Sequence, residues 1–195
     1  MAYEMLFNRP ILALDYKVAA WNDNTEQYGT PVASKALQSC EMEPIMATDE
    51  GRVGGAVEHL LAIMEGCEIT LSELGFDIAS MAIMTPMTHS LSGSGSGGRR
   101  TLTIPTGSNF PYFGLVARIA LDGGGQLHLG FPRCKAMSHF TIEAAESGEF
   151  SVPEIEVSAA RLRLSSGTLK NCVTMDFYAV ETAIATDFNT WFGIS

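Results

Sequence analysis

Residues 127–160 alternate hydrophobic and polar positions in three segments, 127–131, 140–144 and 155–159. Period-two alternation bounded by turn residues is typical of half-buried antiparallel strands. The turn residues Glu146-Ser147-Gly148-Glu149 separate the second segment from the third. The pattern therefore predicts three antiparallel strands with short connections. Pro153 has no N–H to give to a strand ladder, so we expect it at a strand start or on a sheet edge.

Further strands are predicted over residues 101–104 and 112–121, and alternation predicts one over 171–180. The strand 127–131 is expected to start at 126. Asp122-Gly123-Gly124-Gly125 predicts a hairpin turn, and Ser165-Ser166-Gly167 predicts another. Residues 161–164 are expected to extend the strand 155–159. In the last strand the alternate residues should face the core, so Phe177→Asp is expected to unfold the protein. These residues are Val173, Met175, Phe177 and Ala179.

A long hairpin is predicted over residues 43–71. Strands 43–47 and 56–64 flank a polar, glycine-containing tip at 48–55. Residues 68–71 form a further strand or continue the second strand past Gly66.

The hydrophobic period changes over residues 72–85. Leu74, Ile78, Met81 and Ala82 recur at helical spacing, which predicts one short helix capped by Ser72 or Asp77. The helix should end at Thr85-Pro86, because a residue before proline avoids the helical region.

Residues 90–98 are rich in glycine and serine and predict a flexible linker. Gly93, Gly95 and Gly98 match the spacing G-x-G-x-x-G of nucleotide-binding loops. That motif needs a helix directly after it, whereas residues 99–105 are strand-like and end in proline. The segment therefore does not support nucleotide binding.

No other motif points to catalysis or to a cofactor. His128, Cys134 and His139 lie close in sequence, but zinc needs about four ligands and no second cluster accompanies them. No sequence context of a catalytic nucleophile is present. We therefore expect no catalytic, metal or cofactor site.

Charge and composition narrow the function classes. The 195 residues carry a formal net charge of −10, and residues 41–77 carry nine acidic residues against one base, Arg52. A protein that grips duplex DNA needs Lys and Arg on the phosphates, so this balance instead suits a surface that must not hold DNA. The four cysteines show no CxxC spacing and predict free thiols in a reducing cytoplasm. Neither a secretion signal nor a membrane-spanning run is expected, so we predict no membrane partner.

One part of the chain resembles a known family. The strand ending Gly130-Phe131-Pro132-Arg133-Cys134-Lys135-Ala136 is followed by Phe140-Thr141-Ile142-Glu143 and by the acidic turn Glu149-Phe150-Ser151-Val152-Pro153. Together with Glu154-Ile155-Glu156-Val157, these segments resemble the second half of a long-tailed bacteriophage tail tube protein, also called a major tail protein. The resemblance covers roughly residues 41–180.

The resemblance implies a mainly β fold, an antiparallel β-sandwich or half-barrel with one short helix. The resemblance places a tail-tube domain at residues 41–182. The residues themselves predict an N-terminal arm with a short strand near Pro10–Leu14 (1–40) and a C-terminal tail (183–195). Copies would form hexameric rings that stack into the tube conducting DNA from the virion into the host. The implied partners are the chain itself, the tail tip, tail terminator and tape measure proteins, and viral DNA. The protein would be made in the host cytoplasm and reside in the virion tail.

Two sets of site residues follow from this interpretation. Acidic residues on polar strand faces are candidates to line the channel: Glu58, Glu65, Glu68, Glu154 and Glu156. The hairpin tip is the candidate contact between rings: Asp49, Glu50, Gly51, Arg52, Gly54 and Gly55.

Two other function classes stay open at this point. One is a β-sandwich binding module for a sugar or a protein on a virion or cell surface, with loop aromatics Phe110, Tyr112 and Phe113 as its feature. The other is an enzyme on a β-scaffold, for which the sequence offers no site.

Overall fold

The computed structural model describes residues 9–35, 37–53, 56–74, 77–93, 98–103, 105–137 and 154–194. For residues 49–53, 56–61, 89, 91, 100 and 102 it describes the backbone alone. The predicted strand 140–144, the turn 146–149 and Pro153 lie outside the described residues.

The described residues form a mainly β structure with two short helices, which confirms the expected fold class at this level. In chain order the elements are β1 (Pro10–Asn22), β2 (Gln27–Tyr28), β3 (Val32–Ser34), β4 (Leu37–Val53), β5 (Ala56–Glu73), α1 (Ile78–Met84), β6 (Thr88–Ser92), β7 (Arg99–Thr103), β8 (Phe113–Leu121), β9 (Gln126–Ala136), β10 (Glu154–Ala160), β11 (Leu162–Arg163), β12 (Leu169–Lys170), β13 (Thr174–Tyr178) and α2 (Phe188–Trp191).

A nine-stranded sheet dominates the fold. Its main order is β2-β1-β8-β9-β10-β5-β4, with β3 also paired to β1 and β13 also paired to β9. All of these pairs are antiparallel. Two small hairpins, β6–β7 and β11–β12, stand apart from the sheet. The short strand predicted near residues 10–14 is the start of β1, which runs on to Asn22 inside the sheet.

Strand β9 forks the sheet. Its residues 126–130 pair with β13, whereas residues 133–136 pair with β10 along the same edge. On its other edge, β9 pairs continuously with β8 except for a register shift between Leu115 and Phe113. The shift places a bulge at Pro132 and Arg133, and a bulge tolerates proline because it leaves a residue outside the ladder. The bulge also lets Phe131 and Cys134, three residues apart, both point into the core.

The main core lies on one side of this sheet, which we call the core side. Buried side chains from β1, β5, β8, β9 and β10 form a single cluster there, joined by Met81 and Met84 of α1. Asp77 is the N-cap of helix α1, and its carboxylate accepts hydrogen bonds from the backbone N–H groups of Ala79 and Ser80. The helix ends at Thr85, before Pro86, as predicted.

The C-terminal segment covers part of the opposite side. Ile184, Phe188, Phe192 and Ile194 pack with Val116 of β8 and with residues of β1 and β2 into a second cluster. Gly130 of β9 lies directly beneath the Trp191 ring, since a Cβ on Gly130 would stand 1.8 Å from the ring atom Cζ3. The tail therefore docks on its own sheet, where the sequence predicted only that it would dock on something. Helix α2 in this segment is a second helix beyond the one predicted.

Some predicted boundaries were wrong. Strands β4 and β5 extend the hairpin in both directions, so residues 48–53 are strand and not tip. Of the two alternatives for residues 68–71, the structure shows the second, because β5 continues past Gly66. Residues 90–92, predicted as linker, belong to β6 and pair with β7. Residues 162–163 do not extend β10 but pair with β12. Leu74 precedes the helix and is exposed, because the helix starts only at Ile78.

The prediction that Phe177 is buried in the core is also wrong. Met175 and Phe177 lie opposite Leu129 and Leu127, so they are on the core side as expected. However, their exposed fractions are 44% and 68%. Strand β13 lies at the end of its branch of the fork, beyond the side chains that cover Leu127 and Leu129.

Candidate functional site: an acidic sheet face

Among the described residues, nothing covers the side of the sheet opposite the core over β10 and the adjoining parts of β5 and β4. In β10, Ile155 and Val157 are buried while Glu154 and Glu156 are exposed, as alternation predicts. In β5, Cys67, Ile69 and Leu71 face the core, which sends Glu68 and Thr70 to the other side. Three neighbouring strands therefore turn their polar positions to the same surface.

The strand register brings carboxylates together on this surface. Glu156, Thr70 and Glu41 form one row across the three strands, and Ser158, Glu68 and Glu43 form the next. Glu154 stands opposite Ser72 beside the first row, and their side chains are within hydrogen-bond distance at 3.4 Å. We call these five exposed residues the acidic face: Glu41, Glu43, Glu68, Glu154 and Glu156.

The arrangement works against the stability of the sheet. Glu43 and Glu68 are directly opposed across an antiparallel pair, where like charges destabilise pairing by some tenths of a kcal/mol. The nearest base in these rows is Lys135, opposite Ser158, and its ammonium lies 5.3 Å from the centre of the Tyr112 ring. A repulsive cross-strand pair without structural benefit suggests a role for the charge itself.

The surface is shallow. A hollow of about 350 Å³ is lined by Glu41, Met42, Glu43, Glu68 and Thr70. Its lining offers carboxylates, one hydroxyl and a thioether, and therefore no activated nucleophile. In the described part of the chain, no group of His, Cys, Asp and Glu residues is arranged to hold a metal ion.

Three of the five predicted channel-lining residues meet on the acidic face: Glu68, Glu154 and Glu156. Glu65 is exposed but lies apart, at a register shift where Ile45 pairs with Gly66 and Met46 pairs with Met64. Glu58 lies further along β5, and the structure describes only its backbone.

Sequence reasoning missed Glu41 and Glu43. Their alternation with the half-buried Cys40 and Met42 was the available signal. The strand was predicted to begin at Glu43, whereas β4 begins at Leu37, so residues 40–42, which show the alternation, lay outside the predicted strand.

A second notable feature is the outer part of the β4–β5 hairpin, which we call the arm (residues 46–53 and 56–64). The pairing of β10 with β5 stops at Gly66, so within the described residues the arm consists of two strands only. Eight residues of strand span about 27 Å. A two-stranded hairpin alone is marginally stable in water. The arm therefore needs a surface to pack against.

The predicted inter-ring residues belong to this arm. Residues 49–52 lie in β4, paired with β5, and not in a loop. Gly54 and Gly55 lie outside the described residues. At the base of the arm, Ile45, Met46 and Ile63 are 38%, 48% and 43% exposed, which leaves apolar surface open.

The polar groups on β1, β8 and β9 have a structural role. Arg118 forms a two-point ion pair with Asp15 at 2.7 and 2.8 Å. His128 Nε2 lies 3.1 Å from the carbonyl oxygen of Thr182, and Lys17 donates to the carbonyl oxygens of Ile184 and Ala185. The ion pair ties β8 to β1, whereas the contacts of His128 and Lys17 fasten the C-terminal segment to the sheet.

His128 is not part of a catalytic or zinc constellation in the described residues. Burial lowers the pKa of His128 below its ordinary value of 6.5, so its neutral form is favoured. Cys134 lies on the core side, whereas His128 faces the C-terminal segment. His139 lies outside the described residues.

The loop aromatics suggested for a binding module are not a surface cluster. Phe113 is fully buried, and Phe110 packs against the main core. Tyr112 packs against the second cluster, with the Arg133 guanidinium 4.0 Å from its ring centre. These rings therefore stabilise the fold.

Comparison with known proteins adds no family assignment, since no family model and no curated protein matches the chain. Among the described residues, neither helix has the length and apolar run required to cross a lipid bilayer.

Proposed function

We propose that this chain is the subunit of a bacteriophage tail tube, assembling into hexameric rings that stack and conduct DNA. The observation that carries the proposal is the acidic face, an exposed sheet surface on which carboxylates are held close together against the preference of the sheet. The sequence resemblance at residues 127–160 supplies the family. The finer fold description, a β-sandwich or half-barrel that closes into rings, is part of this proposal.

In a ring of subunits, the acidic face could form the wall of a central channel. If the face lines a channel, six copies repeat its five carboxylates around the wall. The carboxylates would repel DNA phosphates, and the nearest described base in these rows, Lys135, holds its ammonium near the Tyr112 ring, so DNA would slide through.

Self-assembly also accounts for two surfaces that a single subunit leaves open. The arm is two strands wide and carries exposed apolar residues at its base. Strand β13 presents Met175 and Phe177 to solvent at the other branch of the sheet. A head-to-tail contact between two such different surfaces generates a ring when its rotation closes. In the stacked tube, the arm would also reach the neighbouring ring.

The virion location, the end-binding partners of the tube and the absence of catalysis are parts of the same proposal. A binding module is less favoured, because the aromatic rings on which it depended are packed inside the fold.

Charge reversal on the acidic face tests the proposed channel. Glu154→Lys with Glu156→Lys changes the charge of each subunit by +4, since each substitution changes it by +2. We expect assembled tubes of this variant to retain double-stranded DNA at low salt and to release it as salt rises. The control is Glu181→Lys, because the Glu181 side chain is 80% exposed and lies by Arg118, away from the acidic face.

Salt-dependent retention by the double variant alone supports the proposal. Equal DNA passage through tubes of wild type and double variant at low salt removes Glu154 and Glu156 from the channel wall. Retention by the Glu181→Lys tubes as well would mean that DNA binds outside the channel.

Removal of the arm end tests assembly. Deletion of residues 49–55 should leave a folded subunit, because residues 49–53 lie in the outer part of the arm, beyond Gly66 where the pairing of β10 with β5 stops. We expect such subunits to fail to make long tubes, as judged by negative-stain electron microscopy. Long tubes of normal appearance would show that the arm end is not an inter-ring contact.

A further inference from the structure

Two buried thiols meet where the sheet forks. The sulfur atoms of Cys67 and Cys172 are 3.9 Å apart, although 105 positions separate the residues in sequence. Cys67 lies in β5, within the main core, and Cys172 lies two residues before β13. Both are free thiols in the structure.

The contact crosses the fork between the two branches of the sheet. One branch, β10-β5-β4, leaves β9 at residues 133–136, and the other branch, β13, leaves it at residues 126–130. Cys67 belongs to the first branch, and Cys172 leads directly into the second. A covalent bond between them would tie the two branches together.

The strand register excludes other pairings of Cys67. Cys67 and Cys134 both lie opposite Ala159, on either side of β10, which separates their Cα atoms by about 9.5 Å. A disulfide spans Cα atoms no more than about 7 Å apart. Cys40 is four residues from Pro44, the residue that pairs with Cys67, which is about 13 Å along the strand.

We propose that Cys67 and Cys172 are an oxidisable thiol pair that closes into a disulfide across the fork when the protein meets a hydroperoxide. The Cys172 thiol loses its proton, and its thiolate attacks one oxygen of hydrogen peroxide to become a sulfenic acid. The O–O bond breaks, and the leaving hydroxide takes up that proton as the first water. The Cys67 sulfur then attacks the sulfenic sulfur, forming the S–S bond. The hydroxyl leaves with the Cys67 proton as a second water. Two thiols are oxidised and one hydrogen peroxide is reduced.

The order of the two steps follows from exposure. Cys172 is 5% exposed whereas Cys67 is fully buried, so the peroxide reaches Cys172 first. Burial, and next the neighbouring Cys172, raises the pKa of the Cys67 thiol to about 12. Cys67 therefore holds little thiolate for its attack on the sulfenic sulfur, so we expect bridge formation to be slower than the oxidation of free glutathione at the same pH.

The bridge should stabilise the subunit whether or not the subunit forms tubes. It closes a long loop in the unfolded chain and so restricts the unfolded ensemble. We expect the midpoint of thermal unfolding to rise by about 5–15 °C. The inference therefore stands apart from the proposed channel and can be tested on unassembled protein.

The experiment treats reduced, desalted full-length protein with hydrogen peroxide under native conditions. Thiols are then titrated after denaturation, and peptides are mapped by mass spectrometry without reductant. We expect titratable thiols to fall from four to two, and a single linked peptide pair containing Cys67 and Cys172. Cys172→Ala should lose both the linked pair and the thermal shift, whereas Cys134→Ala should keep both.

Each alternative result overturns the proposal. Four thiols persisting after prolonged oxidation would show that the contact is only van der Waals packing. Sulfinic acid at Cys172 without a linked peptide, or a link through Cys40 or Cys134, would also contradict it. The peptide map of the wild-type protein decides these outcomes even if a variant does not fold.

Discussion

Substitution of Gly130 by alanine tests how the C-terminal segment is held. The new methyl carbon would lie 1.8 and 2.0 Å from two atoms of the Trp191 ring and 3.2 Å from Phe192. No side chain fits at that distance, so either the Trp191 ring moves aside or the whole segment leaves the sheet.

The energies of the two responses decide between them. Release of the segment exposes Ile184, Phe188, Phe192 and Ile194, at about 1.5–3 kcal/mol each, or roughly 6–12 kcal/mol in total. That is comparable to the whole stability of a typical domain. Displacing one ring costs about 1–3 kcal/mol, as other overpacked sites do. Trp191 is only partly buried, so its ring has a path to solvent.

We therefore expect Gly130→Ala to lower the free energy of unfolding by about 1–3 kcal/mol with the segment still docked. The assay is urea unfolding, together with tryptophan fluorescence in a Trp21→Phe background, which leaves Trp191 as the only tryptophan. The Trp191 emission should shift to longer wavelength. Gly29→Ala is the matched control, because a Cβ there meets only an oxygen at 3.8 Å.

Unchanged stability together with unchanged Trp191 emission would show that the ring does not lie over Gly130. A loss of cooperative unfolding in Gly130→Ala would show that the segment leaves before the ring moves, and the energy comparison above would then be wrong.

Three further outcomes are expected. Tyr16→Phe should cost about 1–3 kcal/mol in urea unfolding, because it removes the hydroxyl that donates to the buried carboxylate of Glu73. The free energy of unfolding should fall as pH drops below 6.5, because the pKa of His128 is lowered in the folded protein and the unfolded chain therefore takes up the proton first. His128→Gln should flatten this part of the pH profile. An unchanged slope would show that His128 is not the group responsible. Phe177→Asp should give a folded subunit by circular dichroism, because the Phe177 side chain is 68% exposed. The same variant should self-associate less in sedimentation. An unfolded variant would mean that Phe177 is buried.

Alternation was sufficient to predict most strands and the sides on which their residues lie. It correctly assigned Ile155 and Val157 to the core and Glu154 and Glu156 to the opposite side. These assignments need only the two-residue alternation of the sequence, because successive side chains of a strand point to opposite sides of the sheet.

Alternation could not predict which residues on a given side of the sheet are buried by other parts of the fold. Phe177 and Leu127 lie on the same side of the sheet, yet only Leu127 is covered. The difference depends on how far the other layer reaches, which is a property of the tertiary fold. The contact between Cys67 and Cys172 likewise depends on the fork in β9, and no local spacing signals it.

The bulge in β9 explains part of the motif that carried the family resemblance. Pro132 occupies the bulge, which returns Cys134 to the core side after Phe131. Gly130 leaves room for the Trp191 ring, and Arg133 stacks on Tyr112. Each residue thus has a packing reason, although none of these reasons could be derived before the strand pairing was known.

Cryo-electron microscopy of the purified, concentrated protein tests the central claim most directly. We predict stacked rings of six copies around an open channel, with β4, β5 and β10 on the inner wall and Glu41, Glu68 and Glu156 directed into the channel. A chain that stays monomeric at high concentration, or a tube whose acidic face points to the outside, would contradict the account.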